Sequence, residues 1–171
     1  MKKLSADRLV KIAVVAAIYV VLTVAIEPLS YGVIQFRFSE LLMLLCFYKL
    51  DYCISLTLGC AIANLFSPFA IIDVPFGTLA TLISAILIYK CNKLWLASIF
   101  PTILNGIIVG LELNIFYDLP LWGSALSVAC GEFVVVTLLG VPVFLALQKN
   151  KLFVKTIGAD SKKVSIYKNA V

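Results

Sequence analysis

Residues 101–116 read PTILNGIIVGLELNIF. Every side chain in this run but one suits a lipid bilayer or a tightly packed helix bundle. The exception is Glu112, a carboxylate inside an apolar stretch. An ionised side chain at the centre of a membrane helix costs about 2.5–3.5 kcal/mol even on the mildest scales, so such a residue normally faces a bundle interior or a cavity. This stretch therefore predicts a membrane helix with a polar task on one face.

The rest of the chain agrees. Of 171 residues, 63% are hydrophobic and only 13% are charged, against roughly 45–50% and 25% in soluble domains; the mean hydropathy is +1.09. This composition predicts an all-α integral membrane protein, with one membrane domain over 1–148 and a basic cytoplasmic tail over 149–171. There is no internal repeat. The N-terminal run MKKLSADRLVKIAVVAAIYV is longer than a signal-peptide core, and the following IEPLSYG offers no A-x-A cleavage pattern, so it is read as a membrane helix.

Six hydrophobic segments are legible, at about 9–26, 38–48, 52–66, 74–90, 94–116 and 123–147. A span takes about 17–25 residues, so the second and third are short and suggest an irregular or partly re-entrant pair. Six transmembrane helices put both termini on one side. Thirteen of the fourteen Lys and Arg then fall on that side, the exception being Arg37. Positive charge marks the cytoplasmic face, so both termini are expected in the cytoplasm. The net charge of +5 is met by anionic lipid and calls for no nucleic acid. The outside connections carry Glu27, Glu40, Asp73 and Asp118 against Arg37 alone.

Histidine is absent, and Cys46, Cys53, Cys60, Cys91 and Cys130 form no CxxC pair or zinc-ligand set. They read as small apolar fillers. No metal site is expected, and the commonest general base is missing. There is no G-x-x-x-x-G-K-[ST] loop for ATP.

The polar residues at membrane depth gather in the outer half of the six-helix arrangement. Asn105 lies seven residues before Glu112, about two turns away and so on the same helix face. Glu132 falls ten residues into the sixth segment, roughly 15 Å below the outer surface. Asn64 ends the third segment and Asp73 opens the fourth. Each has a plainer reading beside a ligand-binding one. Glu112 or Glu132 pairs with Arg37, Asn64 and Asn105 bridge helices, Asp73 caps a helix, and Glu40 pairs with Arg37 across one turn. Tyr117 and Trp122 suit interfacial anchors. Ala13 and Ala17, and Gly106 and Gly110, are four apart, a spacing that lets helices approach closely.

SYGVIQFRFSELLMLL, GCAIANLFSPFAIIDVPFGTLATLISA, LNGIIVGLEL and LPLWGSALSVACGEFVV together resemble QueT-type queuosine-precursor transporters, the substrate-binding (S) components of energy-coupling factor (ECF) vitamin transporters. The resemblance covers about residues 5–148. It implies a six-helix S component that binds one small molecule near the outer face. It also implies docking on a transmembrane coupling subunit and two ATPase subunits, with ATP and Mg used only in those partners and no cofactor in this chain. Ala13 and Ala17 match the Ala-x-x-x-Ala docking patch of that family. The implied ligand is a 7-deazaguanine base such as the aminomethyl form, or queuine or queuosine. Its adjacent N–H donors suit a carboxylate and its carbonyl suits an amide. A second carboxylate suits a cationic arm. Glu112, Glu132, Asn64, Asn105, Asp73, Arg37 and Glu40 are the polar candidates, with Phe36, Tyr117 and Trp122 available to stack on the ring. Alternatives are the same architecture importing another vitamin or nucleobase, an intramembrane enzyme built on Glu112 and Glu132, and a purely structural subunit.

Overall fold

A computed structural model describes residues 5–26, 36–160 and 163. Residues 1–4, 27–35 and most of the chain beyond Asp160 lie outside the described residues. Among the described residues the chain is all helical, with no strand. The helices are α1 (Ala6–Ala25), α2 (Phe38–Phe47), α3 (Asp51–Asn64), α4 (Ala70–Lys90), α5 (Leu94–Tyr117), α6 (Leu121–Leu147) and α7 (Lys151–Ile157). Four of them, α1, α4, α5 and α6, are long and apolar enough to cross a membrane.

Ser5 caps α1 by accepting from Arg8 N at 3.4 Å. The buried residues of α1 are Ile12, Ala16, Tyr19 and Thr23, spaced four, three and four apart as one helix face requires. Ala13 and Ala17 lie on the opposite, exposed face with Val10, Val14 and Val21.

The short second segment finds an unusual solution. α2 is a ten-residue 3₁₀ helix. At about 2.0 Å per residue it reaches roughly 20 Å, where an α-helix of equal length reaches about 15 Å. It is the central element. Met43, Leu44, Cys46 and Phe47 are wholly buried in the core cluster, and α1, α3, α4 and α6 pack around it.

Two long helices depart from α geometry where proline withholds a donor. α5 breaks at Ser98, between Leu94–Ala97 and Ile99–Tyr117, because Pro101 cannot bond the Ala97 carbonyl. α6 opens into a π segment, Phe133–Gly140, just before Pro142. Thr137 of that segment donates to Ser98 Oγ at 3.0 Å, locking the two irregular regions together.

Small residues seat α5 on α6. A Cβ on Gly106 would lie 3.0 Å from Ala129 Cβ, and one on Gly110 would lie 2.8 Å from Ala125 Cα. The Gly-x-x-x-Gly spacing thus brings two backbones together.

The basic end of the bundle is tied down by polar contacts. Arg8 and Lys49 both pair with Asp51. Residues 151–157, read from sequence only as part of a polar tail, form α7. Asn150 caps it by accepting from Leu152 N at 2.8 Å. The segment folds back onto this end, with Ile157 O accepting from the Tyr52 hydroxyl at 2.8 Å and Asp160 N donating to Tyr48 O at 2.9 Å. Lys163 donates to Cys91 O and lies over the Phe47 ring at 4.8 Å. Burial pulls its ammonium below the ordinary lysine range.

Candidate functional site

The opposite end of the bundle holds a cavity between α4, α5 and the segment that follows α3. Arg37, Ser67, Phe69, Asp73, Glu112 and Tyr117 supply its chemistry, and Gly77 and Val109 form part of its wall. Its volume is about 80 Å³, room for several waters. Glu112 is buried at 2% exposure, and the Asp73 carboxyl stands beside it.

Asp73 is the organising residue of the rim. Tyr117 donates to its Oδ1 at 3.1 Å, and Ser67 donates to Oδ2. The Asn64 amide donates to its backbone carbonyl at 2.9 Å, joining the end of α3 to the first turn of α4. Gly77 keeps this seam closed, since a Cβ there would stand 2.4 Å from Asn64 Nδ2. Tyr117 also meets Phe69 edge to face, with ring centroids 4.7 Å apart. An aromatic pair and two carboxylates therefore share one small space.

Behind the cavity lies a second polar group. Tyr19 of α1 donates to Glu40 Oε1, and Asn105 Nδ2 donates to Glu132 Oε1 at 2.9 Å. Glu40 and Glu132 stand within electrostatic reach of each other, and Arg37 within reach of Glu40, Glu112 and Glu132. One guanidinium thus faces several acids. Four buried acceptors around this region have no hydrogen-bond partner: Glu40 Oε2, Glu112 Oε1, Glu132 Oε2 and Asn64 Oδ1.

The structure brings Arg37, Asp73, Glu112 and Tyr117 to the cavity, Asn64 to its border, and Glu40, Asn105 and Glu132 behind it. It does not bring in the other two aromatic candidates. Trp122 is 78% exposed on the outer surface, and Phe36 packs on the main core. Sequence reasoning missed Tyr19, Ser67 and Phe69. Tyr19 sits in register with Ile12, Ala16 and Thr23, a signal available from the sequence. Ser67 and Phe69 lie in the SPFAIIDV stretch that joins α3 to α4, where nothing marked them out. Among the described residues no group of three or more His, Cys, Asp or Glu is arranged to hold a metal.

The fold and the site define a multi-pass helical membrane protein with a polar, acid-lined cavity near one end of the bundle. The family model for the QueT transporter matches residues 9–149, and the chain belongs to that family. The curated queuosine precursor transporter QueT of Lactococcus lactis subsp. cremoris (strain MG1363) is 46% identical over 85 residues, covering 48% of this chain and 50% of that protein. The chain thus spans about half the length of the curated relative it matches. No solved structure matches.

Proposed function

We propose that this chain is the membrane-embedded substrate-binding subunit of an ECF-type importer and takes up a queuosine precursor, a 7-deazaguanine base. The observation that carries the reading is the cavity. It combines the buried carboxylate of Glu112, the neighbouring Asp73 and the Phe69–Tyr117 ring pair. A flat heterocycle with adjacent N–H donors complements that set: the donors meet a carboxylate and the ring meets aromatic faces. The QueT-family relative named above bears the same substrate in its name.

The chain crosses the membrane six times in this reading, with α2 and α3 as the two short spans and both termini in the cytoplasm. Arg8, Lys49 and α7 gather at one end of the bundle and the cavity lies at the other, which supports a cytoplasmic basic end and an outward-facing site. Ala13 and Ala17 on the exposed face of α1 meet the coupling subunit. Two separate ATPase subunits hydrolyse ATP with Mg, and this chain performs no catalysis.

Calorimetric titration of the detergent-purified chain against a panel of 7-deazaguanines and water-soluble vitamins tests the assignment. Saturable binding of a deazaguanine, with no turnover, is the expected result. Preferential binding of a vitamin would move the same architecture to another substrate.

A further inference from the structure

A second cavity opens at the basic end of the bundle, between the start of α1 and the turn into α3. Its volume is about 160 Å³, twice that of the cavity at Glu112. Arg8, Lys11 and Lys49 bring three positive charges to its wall, and Asp7 and Asp51 bring two negative ones. The acids do not use up the donors. Asp51 is buried, and both its oxygens are engaged, Oδ1 by Arg8 and Oδ2 by Lys49 at 3.2 Å. Lys11 pairs with Asp7 at 3.1 Å, but the Asp7 side chain is 77% exposed, and an ion pair in water holds little. An arginine offers five N–H donors and a lysine three. Arg8 Nε is buried without an acceptor. The cavity therefore has donors to spare and one positive charge in excess. Its complement is an anion with several acceptor oxygens, which is the chemistry of a phosphate group.

The surroundings of the cavity point to the source of that phosphate. Leu50, between Lys49 and Asp51, starts an exposed apolar stripe that runs up α3 through Ile54, Leu58 and Ile62 at intervals of four. On α1, the exposed Ile18 follows Lys11 by seven residues and so shares its face. Such faces suit acyl chains, and the three cations stand at the end of them, where lipid phosphates lie. Basic pockets between membrane helices take phospholipid headgroups in this way. We propose that the cavity binds the phosphodiester of an anionic phospholipid through Arg8, Lys11 and Lys49, with the lipid chains lying along α1 and α3. The bound headgroup ties the start of one helix to the start of the other. This site is separate from the cavity at Glu112 and does not depend on what that cavity takes.

The probes are dioctanoyl phosphatidylglycerol, dioctanoyl phosphatidylcholine and inorganic phosphate, each titrated into the full chain purified in a non-ionic detergent. One phosphatidylglycerol should bind per chain, about tenfold or more tighter than phosphatidylcholine, since each cation near a headgroup is worth about fivefold. Lys11→Gln and Lys49→Gln should each weaken it by about fivefold, and Asp7→Asn, which frees Lys11, should tighten it by a similar factor. Lys90→Gln and Lys93→Gln remove the same charge from the α4–α5 turn, outside the cavity, and should leave the affinity unchanged. The unfolding midpoint without lipid checks the fold of each variant. Lys11 is partly exposed and pairs only with the exposed Asp7 among the ion pairs of the described residues, so its variant keeps the test open should Lys49→Gln disturb Asp51. Equal binding of phosphatidylcholine, or equal losses in the Lys90 and Lys93 variants, would overturn the site and leave only diffuse attraction to anionic lipid. Inorganic phosphate binding as tightly as phosphatidylglycerol would overturn the lipid as the source. Absence of saturable phosphatidylglycerol binding would overturn the proposal altogether.

Discussion

Asn105 and Glu132 meet across the α5–α6 seam at 2.9 Å, amide nitrogen to carboxylate oxygen, with both side chains buried. The contact joins the helix that carries Glu112 to the one that opens into a π segment directly after Glu132. Asn105→Leu leaves the Glu132 oxygen without its donor, at a cost of about 1–3 kcal/mol. Thermal unfolding in detergent should show a clearly lowered midpoint for Asn105→Leu. An unchanged midpoint would mean that the pair contributes nothing to the fold.

Glu112 gives the most direct test of the cavity. Glu112→Gln keeps the shape but replaces one acceptor with a donor, which under the proposed binding mode points at the N–H groups of the ring. The loss should reach at least about tenfold in affinity, since roughly 1.4 kcal/mol makes a decade. Folding should survive, because the change removes a charge from membrane depth. Wild-type affinity in a well-folded Glu112→Gln protein would pass the ring-binding role to Asp73 and Glu132.

The positions of the four long helices, and the burial of Asn105, Glu112 and Glu132, were legible because each rests on local pattern. Apolar length marks the long helices, and a seven-residue interval places Asn105 and Glu112 on one face. What pairs with what was not legible. Glu132 meets Asn105 and Glu40 meets Tyr19 through contacts between helices, and no spacing within one segment encodes their register. α2 was placed at 38–48, but its 3₁₀ form was not legible, for a different reason. It is buried on nearly every side, so its run FSELLMLLCF has no polar face to reveal a period. Trp122 shows the limit for single aromatics, since composition cannot say whether a ring at a helix start turns inward or, as here, out.

Gly110 should be less replaceable than Gly106. A Cβ at Gly110 meets Ala125 backbone atoms at 2.8 and 3.1 Å, whereas at Gly106 the nearest atom is a side-chain methyl at 3.0 Å. Alanine gains about 1 kcal/mol in intrinsic helix propensity over glycine, but overpacking against backbone costs about 1–3 kcal/mol. Gly110→Ala should therefore lower the unfolding midpoint, and Gly106→Ala should change it less. Equal effects at the two sites would show that the seam relaxes freely.

The proposed topology rests on charge and on the two ends of the bundle. Asp118 follows α5 at the cavity end, and Asn150 precedes α7 at the basic end. A membrane-impermeant maleimide applied to intact cells should label Asp118→Cys above the wild-type background and leave Asn150→Cys unlabelled until the cells are opened. Labelling of Asn150→Cys from outside would reverse the orientation and place the cavity on the cytoplasmic side.

Ala17 tests whether α1 offers a docking face. Its side chain lies on the exposed side of the helix, with Ala13 one turn before it, while Ala16 and Tyr19 point into the bundle. Small residues at this spacing let a partner helix approach until backbones touch. A tryptophan there keeps such a partner away, yet it points off the exposed face rather than into the packed core of the described residues. Ala17→Trp should therefore abolish uptake by cells that contain the coupling subunit and ATPases, while the purified variant binds deazaguanine with wild-type affinity. Ala16→Trp is the contrasting change: it drives a large ring into the buried face beside Gly59, where even an added Cβ would stand 3.1 Å from the Ala16 carbonyl oxygen, and should impair folding and binding together. If Ala17→Trp behaved like Ala16→Trp, α1 would serve the substrate fold on both faces, and docking would have to lie elsewhere on the molecule.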